Sequence, residues 1–189
     1  MIDVTILKTA GLDVVAKWQR LPMKRTDRTD NLGADDIALM RKLILAGDEH
    51  AKAMRMVVAW MLVKAPRYFW QQFDTYRIGV EKLSESTMHT LMRDGVRLED
   101  FVPETDRRSV GNLRYLIKQG KFEEAKASLP EGYLQTRLVM ASYQALRRMW
   151  LQRRNHRLKE WHEFLDALKE LPLADELIFT RKQDDNSTD

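Results

Sequence analysis

The arginine at position 153 has the neighbours that make chemistry plausible. On a helix drawn from Gln135 to Asn155, at about 100° per residue, Ser142, Leu146, Met149, Val139, Trp150, Leu138 and Ala145 fall within about 80° of Arg153. The guanidinium therefore projects from the middle of an apolar stripe, one turn beyond Met149, with His156 about 60° away on the same side. A charge in such a place must find an anion or several acceptors, because leaving it unpaired costs free energy. Two roles suit it. One is an internal ion pair with Asp or Glu, or an exit from the core. The other is an arginine presented into a cleft, where its planar fork holds a phosphate or a carboxylate.

A second group of reactive types runs through Gln72-Phe73-Asp74-Thr75-Tyr76-Arg77 and Ser84-Glu85-Ser86-Thr87-Met88-His89. An aromatic helix leading into Arg77, Gly79 and a serine-rich turn can offer backbone N–H groups, hydroxyls and one charge to a phosphate. Ser84 or Ser86 can equally serve as an ordinary helix cap. Asp74 and Glu85 are a possible carboxylate pair, although no spacing selects them. The four histidines have no short metal-ligand spacing, and the chain has neither a phosphate-binding loop nor a dinucleotide glycine fingerprint.

Several elements must position these groups. The first eight residues alternate and read as a strand with Val4 and Ile6 on one face, not as a secretory leader. Lys24 to Asn31 is polar and reads as a solvated loop. Ile37, Met40, Leu43 and Ile44 have helical spacing, with Asp35 or Asp36 as a cap and Gly47 at the exit. Val57 to Val63 reads as a buried strand, a run short enough that a helix is the alternative, stopped by Pro66, which begins the aromatic helix of Tyr68 to Phe73. Near Gly79 there is a break, followed by a short helix from Thr87 to Met92 and a loop through Gly95 and Pro103. Helices follow at Val110–Gln119 and Phe122–Ser128, then the long stretch from Gln135, continuing or turning before Trp161, Phe164, Leu165 and Leu168.

The chain has 189 residues, 44% hydrophobic and 32% charged, which predicts one globular domain over 1–180 with a polar tail at 181–189. No cysteine is present, so disulfides, thiol nucleophiles and cysteine metal sites are excluded, in keeping with a cytoplasmic, reducing environment. No apolar run approaches the roughly 20 residues of a membrane span. The net charge of +4 is too modest to imply nucleic acid by itself. The arginines and lysine at Arg147, Arg148, Arg154, Arg157 and Lys159 leave nucleic-acid binding by a basic helix as a lesser alternative.

Taken in order, these segments resemble the flavin-dependent thymidylate synthase family. That family has a histidine after a helix-ending glycine, a strand closing near a proline, and a helix with glutamine. An Arg-His-Arg motif and a Ser, Asn-Glu, Ser, Arg series follow. Here Gly47-Asp48-Glu49-His50 precedes the strand and Lys64-Ala65-Pro66. Gln72 lies at the family's distance from the proline, and Arg77 falls on the second arginine of the triplet. Leu129-Pro130 precedes the helix carrying Leu146, Arg153 and His156. The similarity runs from about residue 36 to 165, and the variant segments are also similar to a group of phage and prophage proteins.

The resemblance implies an α+β fold, mainly helical with a small buried sheet. It also implies FAD as cofactor, dUMP as the nucleotide and a homotetramer with sites between subunits. By the same resemblance Arg153 is the catalytic arginine, Gln72, Arg77, Ser86 and Arg153 contact the nucleotide, and His50, Arg77 and His156 lie on the flavin side. The departures are specific. Thr75 and Tyr76 stand where the family has Arg and His, and Val80 where it has a serine. The Asn-Glu pair is absent unless one inserted residue brings Leu83 and Ser84 there. That insertion matches Ser86 to the family serine but leaves Met88 in place of the nucleotide-binding arginine, and the step from Arg153 to His156 is one residue short. Since the family activates dUMP by binding and orientation, such losses admit an alternative: an inactive nucleotide- or protein-binding module of the same fold.

Overall fold

The structure, a computed structural model, describes residues 2–24 and 32–181. The loop expected at Lys24–Asn31 lies, beyond Lys24, outside these residues, as does the tail after Arg181. Strands β1 (Asp3–Ala10), β2 (Val58–Pro66), β3 (Val80–Ser84) and β4 (Leu134–Ser142) form an antiparallel sheet in the order β1-β2-β4-β3. Helices α1 (Leu12–Trp18), α2 (Ala34–Ala46) and α3 (Arg67–Phe73) lie in the first half of the chain. Helices α4 (Thr87–Asp94), α5 (Arg107–Lys118), α6 (Phe122–Ala127), α7 (Tyr143–Arg153), α8 (Lys159–Ala167) and α9 (Ala174–Leu177) complete it. No helix of the described residues is long and apolar enough to cross a membrane.

Along β2 the side chains of Ala59, Met61, Val63 and Ala65 are buried, whereas Leu62 and Lys64 are exposed. That period of two sets one face of the sheet against helices. The main core on that face joins the β2 and β4 side chains to Phe69, Trp70 and Phe73 of α3, Leu146 and Met149 of α7, and Trp161, Phe164 and Leu165 of α8. A second, smaller core holds α4, α5 and α6 together through Leu91, Val110, Leu113, Leu116 and Ala125.

Three expectations change. The long helix from Gln135 begins only at Tyr143, because Leu134–Ser142 is the central strand β4, paired with β2 on one side and β3 on the other. Ser142 ends that strand and caps α7, its Oγ accepting the Ala145 N–H at 3.3 Å. The break near Gly79 leads into a strand and not directly into a serine turn. The α2 cap is Gly33 in place of Asp35 or Asp36, and the Asp36 carboxylate, one turn in, accepts the Gly33 N–H at 3.2 Å.

Candidate functional site

Helix α7 buries Tyr143, Leu146, Met149 and Trp150, and Arg153 is its last residue. There the stripe leaves the core, and a cation is favoured by the exposed carbonyls of a helix C-terminus. The end of α3 and the turn after it supply the surroundings. Arg153 Nε donates to Tyr76 Oη at 3.0 Å, and Nη1 makes a long contact with Gln72 Oε1 at 3.5 Å. The guanidinium carbon lies 5.1 Å from the Trp161 ring centroid and 5.7 Å from that of Tyr76. Trp161 Nε1 also donates to Gln72 Oε1, at 3.0 Å, and Tyr76 Oη donates to Gln152 Oε1 at 2.9 Å.

Every one of these partners is neutral. Among the described residues no carboxylate pairs with Arg153, which removes the internal ion pair as its role. A half-buried guanidinium is held by a hydroxyl, an amide and two aromatic faces, and its charge is left uncompensated. Such a group is suited to receive an anion.

His156 sits just beyond, its ring edge-on to Trp161 with centroids 6.3 Å apart. Nδ1 accepts the Leu158 N–H at 3.1 Å. Partial burial pushes the imidazole below its ordinary range, and the nearby Arg153 pushes it the same way, so it is neutral at pH 7. Its Nε2 is then the N–H donor.

A cleft of about 220 Å³ opens between the turn after α3 and α7, lined by Tyr76, Arg77, Ile78, Ala145, Arg148 and Gln152 along with Thr75. Arg77 is exposed and has no polar partner among the described residues. Arg148 is tied to Asp48 at 2.8 Å, and that hydrogen bond holds the Asp48 carboxyl below its usual value. His50, in the same turn as Asp48, is half exposed with Glu49 3.6 Å from Nε2. It makes no contact with Arg153. The turn after Ile78 packs against the start of α7 at Gly79, whose φ of +74° and whose absent Cβ, 2.5 Å from Ser142 Oγ if present, both require glycine.

Asp74 and Glu85 do not face one another. Glu85 Oε2 accepts the Thr136 N–H at 2.8 Å. Asp74 receives Lys82 Nζ at 2.8 Å and Arg137 Nη1 at 2.9 Å, with the Arg137 guanidinium 4.3 Å from the Trp70 ring centroid. Burial raises the Asp74 carboxyl, but hydrogen bonds from Lys82 and Arg137 outweigh it and hold the group below its ordinary value. A carboxyl lowered in the folded state stabilises above its unfolded pKa of about 4 and loses that contribution as pH falls through the folded value. Asp74→Asn should therefore flatten the acid limb of a Tm-against-pH curve below about pH 4. Because Asp74 is 43% exposed, the difference should shrink in high salt. Equal acid limbs for the two proteins would remove this account.

Ser86 is the residue before α4, on the smaller core and out of contact with Arg153. Its carbonyl accepts the His89 and Thr90 N–H groups, while its hydroxyl makes no cap. Lys126 of α6 donates to Thr87 Oγ1 at the same helix start. The structure thus brings Gln72, Arg153 and His156 together, sets Arg77 on the adjoining cleft, and leaves His50 and Ser86 apart. Sequence reasoning missed Lys126, Gln152 and Trp161 as site neighbours, and assigned Tyr76 no part beyond a departure from the family. Only Trp161 had a signal, since a buried indole needs an acceptor. The proposed basic helix is divided between α7 and α8. Its Arg147 donates to the carbonyls of Ile178 and Thr180, and its Lys159 pairs with Glu104 at 3.1 Å.

No family model matches the chain, and no curated protein matches it. Among solved structures it is similar to the flavin-dependent thymidylate synthase ThyX from Helicobacter pylori complexed with FAD and dUMP. The TM-score is 0.79 at 19% identity, over 94% of this chain and 97% of that one. A second structure of ThyX from Helicobacter pylori with FAD and dUMP gives 0.79 at 18%, over 95% and 97%. A UMP/dUMP methylase, PolB from Streptomyces cacaoi bound with 5-Br dUMP, gives 0.68 at 15%, over 94% and 91%. The chain therefore has the ThyX-like α+β fold, mainly helical with a small sheet.

Proposed function

We propose that this protein binds a pyrimidine nucleotide of the dUMP type and, with FAD and a folate one-carbon donor, methylates it as a divergent flavin-dependent thymidylate synthase. The observation that carries the reading is Arg153, a half-buried guanidinium whose partners are all neutral. Its uncompensated charge receives the anion of the nucleotide, with Gln72 and Tyr76 keeping it in place. The solved structures of the same fold bind FAD and dUMP, which supports this choice of ligands.

The remaining roles follow from chemistry. Ser86, the start of α4 and Lys126 offer hydroxyls, N–H groups and a cation suited to a phosphate. Arg77 and Arg148 at the cleft give two guanidiniums that fit a phosphate-bearing cofactor, while His156, beyond Arg153, and His50, apart from it, are assigned to the flavin side by the resemblance alone. FAD would be held there in part, and once reduced by an external two-electron donor it would supply the hydride that reduces the transferred carbon to a methyl group. The chain's own residues bind and orient.

One copy offers only part of an enclosure. A cleft of about 220 Å³ is below the volumes that bury a drug-sized ligand, and Ser86 with Lys126 stands on a different core from Arg153. The outer face of the sheet also places Leu62 and Leu83, exposed, on either side of Leu138. These features support a homo-oligomer, a tetramer by the resemblance, with sites completed between copies.

The test is the visible spectrum and solution mass of the purified protein, with thermal shifts on adding FAD and dUMP. Bound flavin, an oligomeric mass and a dUMP shift are the expected results. A colourless protein that takes up no FAD and shows no dUMP shift would sink the reading. A second reading, a binding module without catalysis, is favoured by Thr75, Tyr76 and Met88 in place of family side chains. Tritium release from C5-labelled dUMP, given methylenetetrahydrofolate and a reductant, would eliminate it.

A further inference from the structure

We infer that Tyr76 is the positioning residue for Arg153: its hydroxyl accepts from Nε and sets which edge of the guanidinium meets the ligand. The inference rests on the reading that Arg153 receives the nucleotide. Arginine has five N–H donors in a rigid plane, so fixing one fixes the direction of the others. Here Nε is held by Tyr76 Oη at 3.0 Å and Nη1 leans on Gln72 Oε1 at 3.5 Å. Neither Nη2 hydrogen has a polar partner among the described residues, which leaves both for an incoming anion.

Tyr76 is itself held on every side. Its hydroxyl proton goes to Gln152 Oε1 at 2.9 Å, which turns an oxygen lone pair toward Arg153. Its ring packs edge-on against Trp161 and Phe73, with centroids 5.9 and 6.4 Å away. Its backbone N–H donates to Phe73 O at 3.0 Å, and the turn that follows is closed by Gly79 against Ser142. A tyrosine at this place does what a carboxylate cannot. It orients the guanidinium through a hydrogen bond while leaving the positive charge undiminished, because a phenol is neutral at physiological pH.

The side chain is this protein's own, standing where the family resemblance places histidine. Removing only its oxygen deprives Nε of its acceptor between two aromatic rings, and the guanidinium must turn to find another. Hydrogen bonds to charged groups are strong enough that Tyr76→Phe should weaken dUMP binding about tenfold.

The test pairs dUMP titration with the arginine side-chain N–H spectrum of isotopically labelled protein. Arg153→Lys identifies the Arg153 Nε–H resonance by its disappearance. In the wild type that hydrogen should exchange slowly with solvent, and in Tyr76→Phe it should exchange fast, whether or not dUMP is present. A merely structural tyrosine would not move this signal. Gln152→Ala, which alters only an exposed side chain, should produce the same change to a smaller degree and serves if Tyr76→Phe folds poorly. Slow exchange in both variants overturns the inference, as does undiminished dUMP affinity in Tyr76→Phe when the wild type binds. A wild type that binds no dUMP but shows the exchange difference instead counts against the nucleotide reading alone.

Discussion

Arg153→Ala is expected to abolish the dUMP-induced thermal shift while the protein stays folded. Truncating one member of a desolvated, hydrogen-bonded charge pair across an interface costs roughly 2–5 kcal/mol, which is about thirtyfold or more in Kd. The folded state loses much less. With the guanidinium gone, Gln72 Oε1 keeps its hydrogen bond from Trp161 and Tyr76 Oη keeps its bond to Gln152. No carboxylate among the described residues is left without its cation. The urea midpoint should therefore move little, by about 1 kcal/mol or less in stability. Calorimetric titration with dUMP and urea unfolding separate the two quantities. Binding retained at wild-type strength would show that Arg153 does not meet the nucleotide. A large loss of stability would show that it serves the core instead.

Trp161→Ala should be the most damaging single truncation near the site. The residue is fully buried and lies at the centre of an aromatic group: Phe69 at 4.8 Å, Phe164 at 6.0 Å and Phe73 stacked at 6.1 Å between centroids. Emptying such a place removes transfer free energy and leaves a cavity, at a cost of about 3–5 kcal/mol. A domain's whole stability is only about 5–15 kcal/mol, so the urea midpoint should fall steeply with an unchanged slope. The same substitution strips Gln72 Oε1 of its indole donor and Arg153 of one aromatic face. Nucleotide binding should weaken even in the fraction that remains folded. A loss near 1 kcal/mol would mean that the aromatic group is much looser than these distances describe.

Both results depend on contacts that cross the chain. Arg153 reaches Tyr76 and Gln72, in an earlier third of the sequence, and Trp161 in the next helix. The spacing of Leu146, Met149 and Trp150 is enough to say that Arg153 continues an apolar face, because helical periodicity is local. It says nothing of whether that face ends on an acid, on water or on aromatic rings. The expected ion pair and the cleft arginine were equal candidates for that reason. The neutral partners around it among the described residues remove the ion pair, and its place at the end of α7, where the stripe leaves the core, suits both the core exit and the arginine presented to an anion.

The error over Leu134–Ser142 has the same origin. Its apolar residues satisfy a helix drawn through to Arg153 almost as well as a strand. The choice is made by β2 and β3, which pair with its two edges and satisfy backbone groups that a helix would have satisfied within itself. Strand β3 is hidden for a related reason: Val80–Ser84 is short, polar at three of its five positions and on the sheet's edge. By contrast β1, β2 and α3 are legible because alternation, an apolar run and a proline are each local signs.

What the sequence determined by itself is therefore the mainly helical character, the aromatic helix after Pro66 and the apolar face that Arg153 continues. All three are set by residue type and short-range period. Tertiary structure alone decided that the partners of Arg153 among the described residues are neutral, that its Nε meets the Tyr76 hydroxyl, and that Ser86 stands apart from it before a helix of the smaller core. Those are matters of which distant side chains share one small volume, and periodicity carries no information about that.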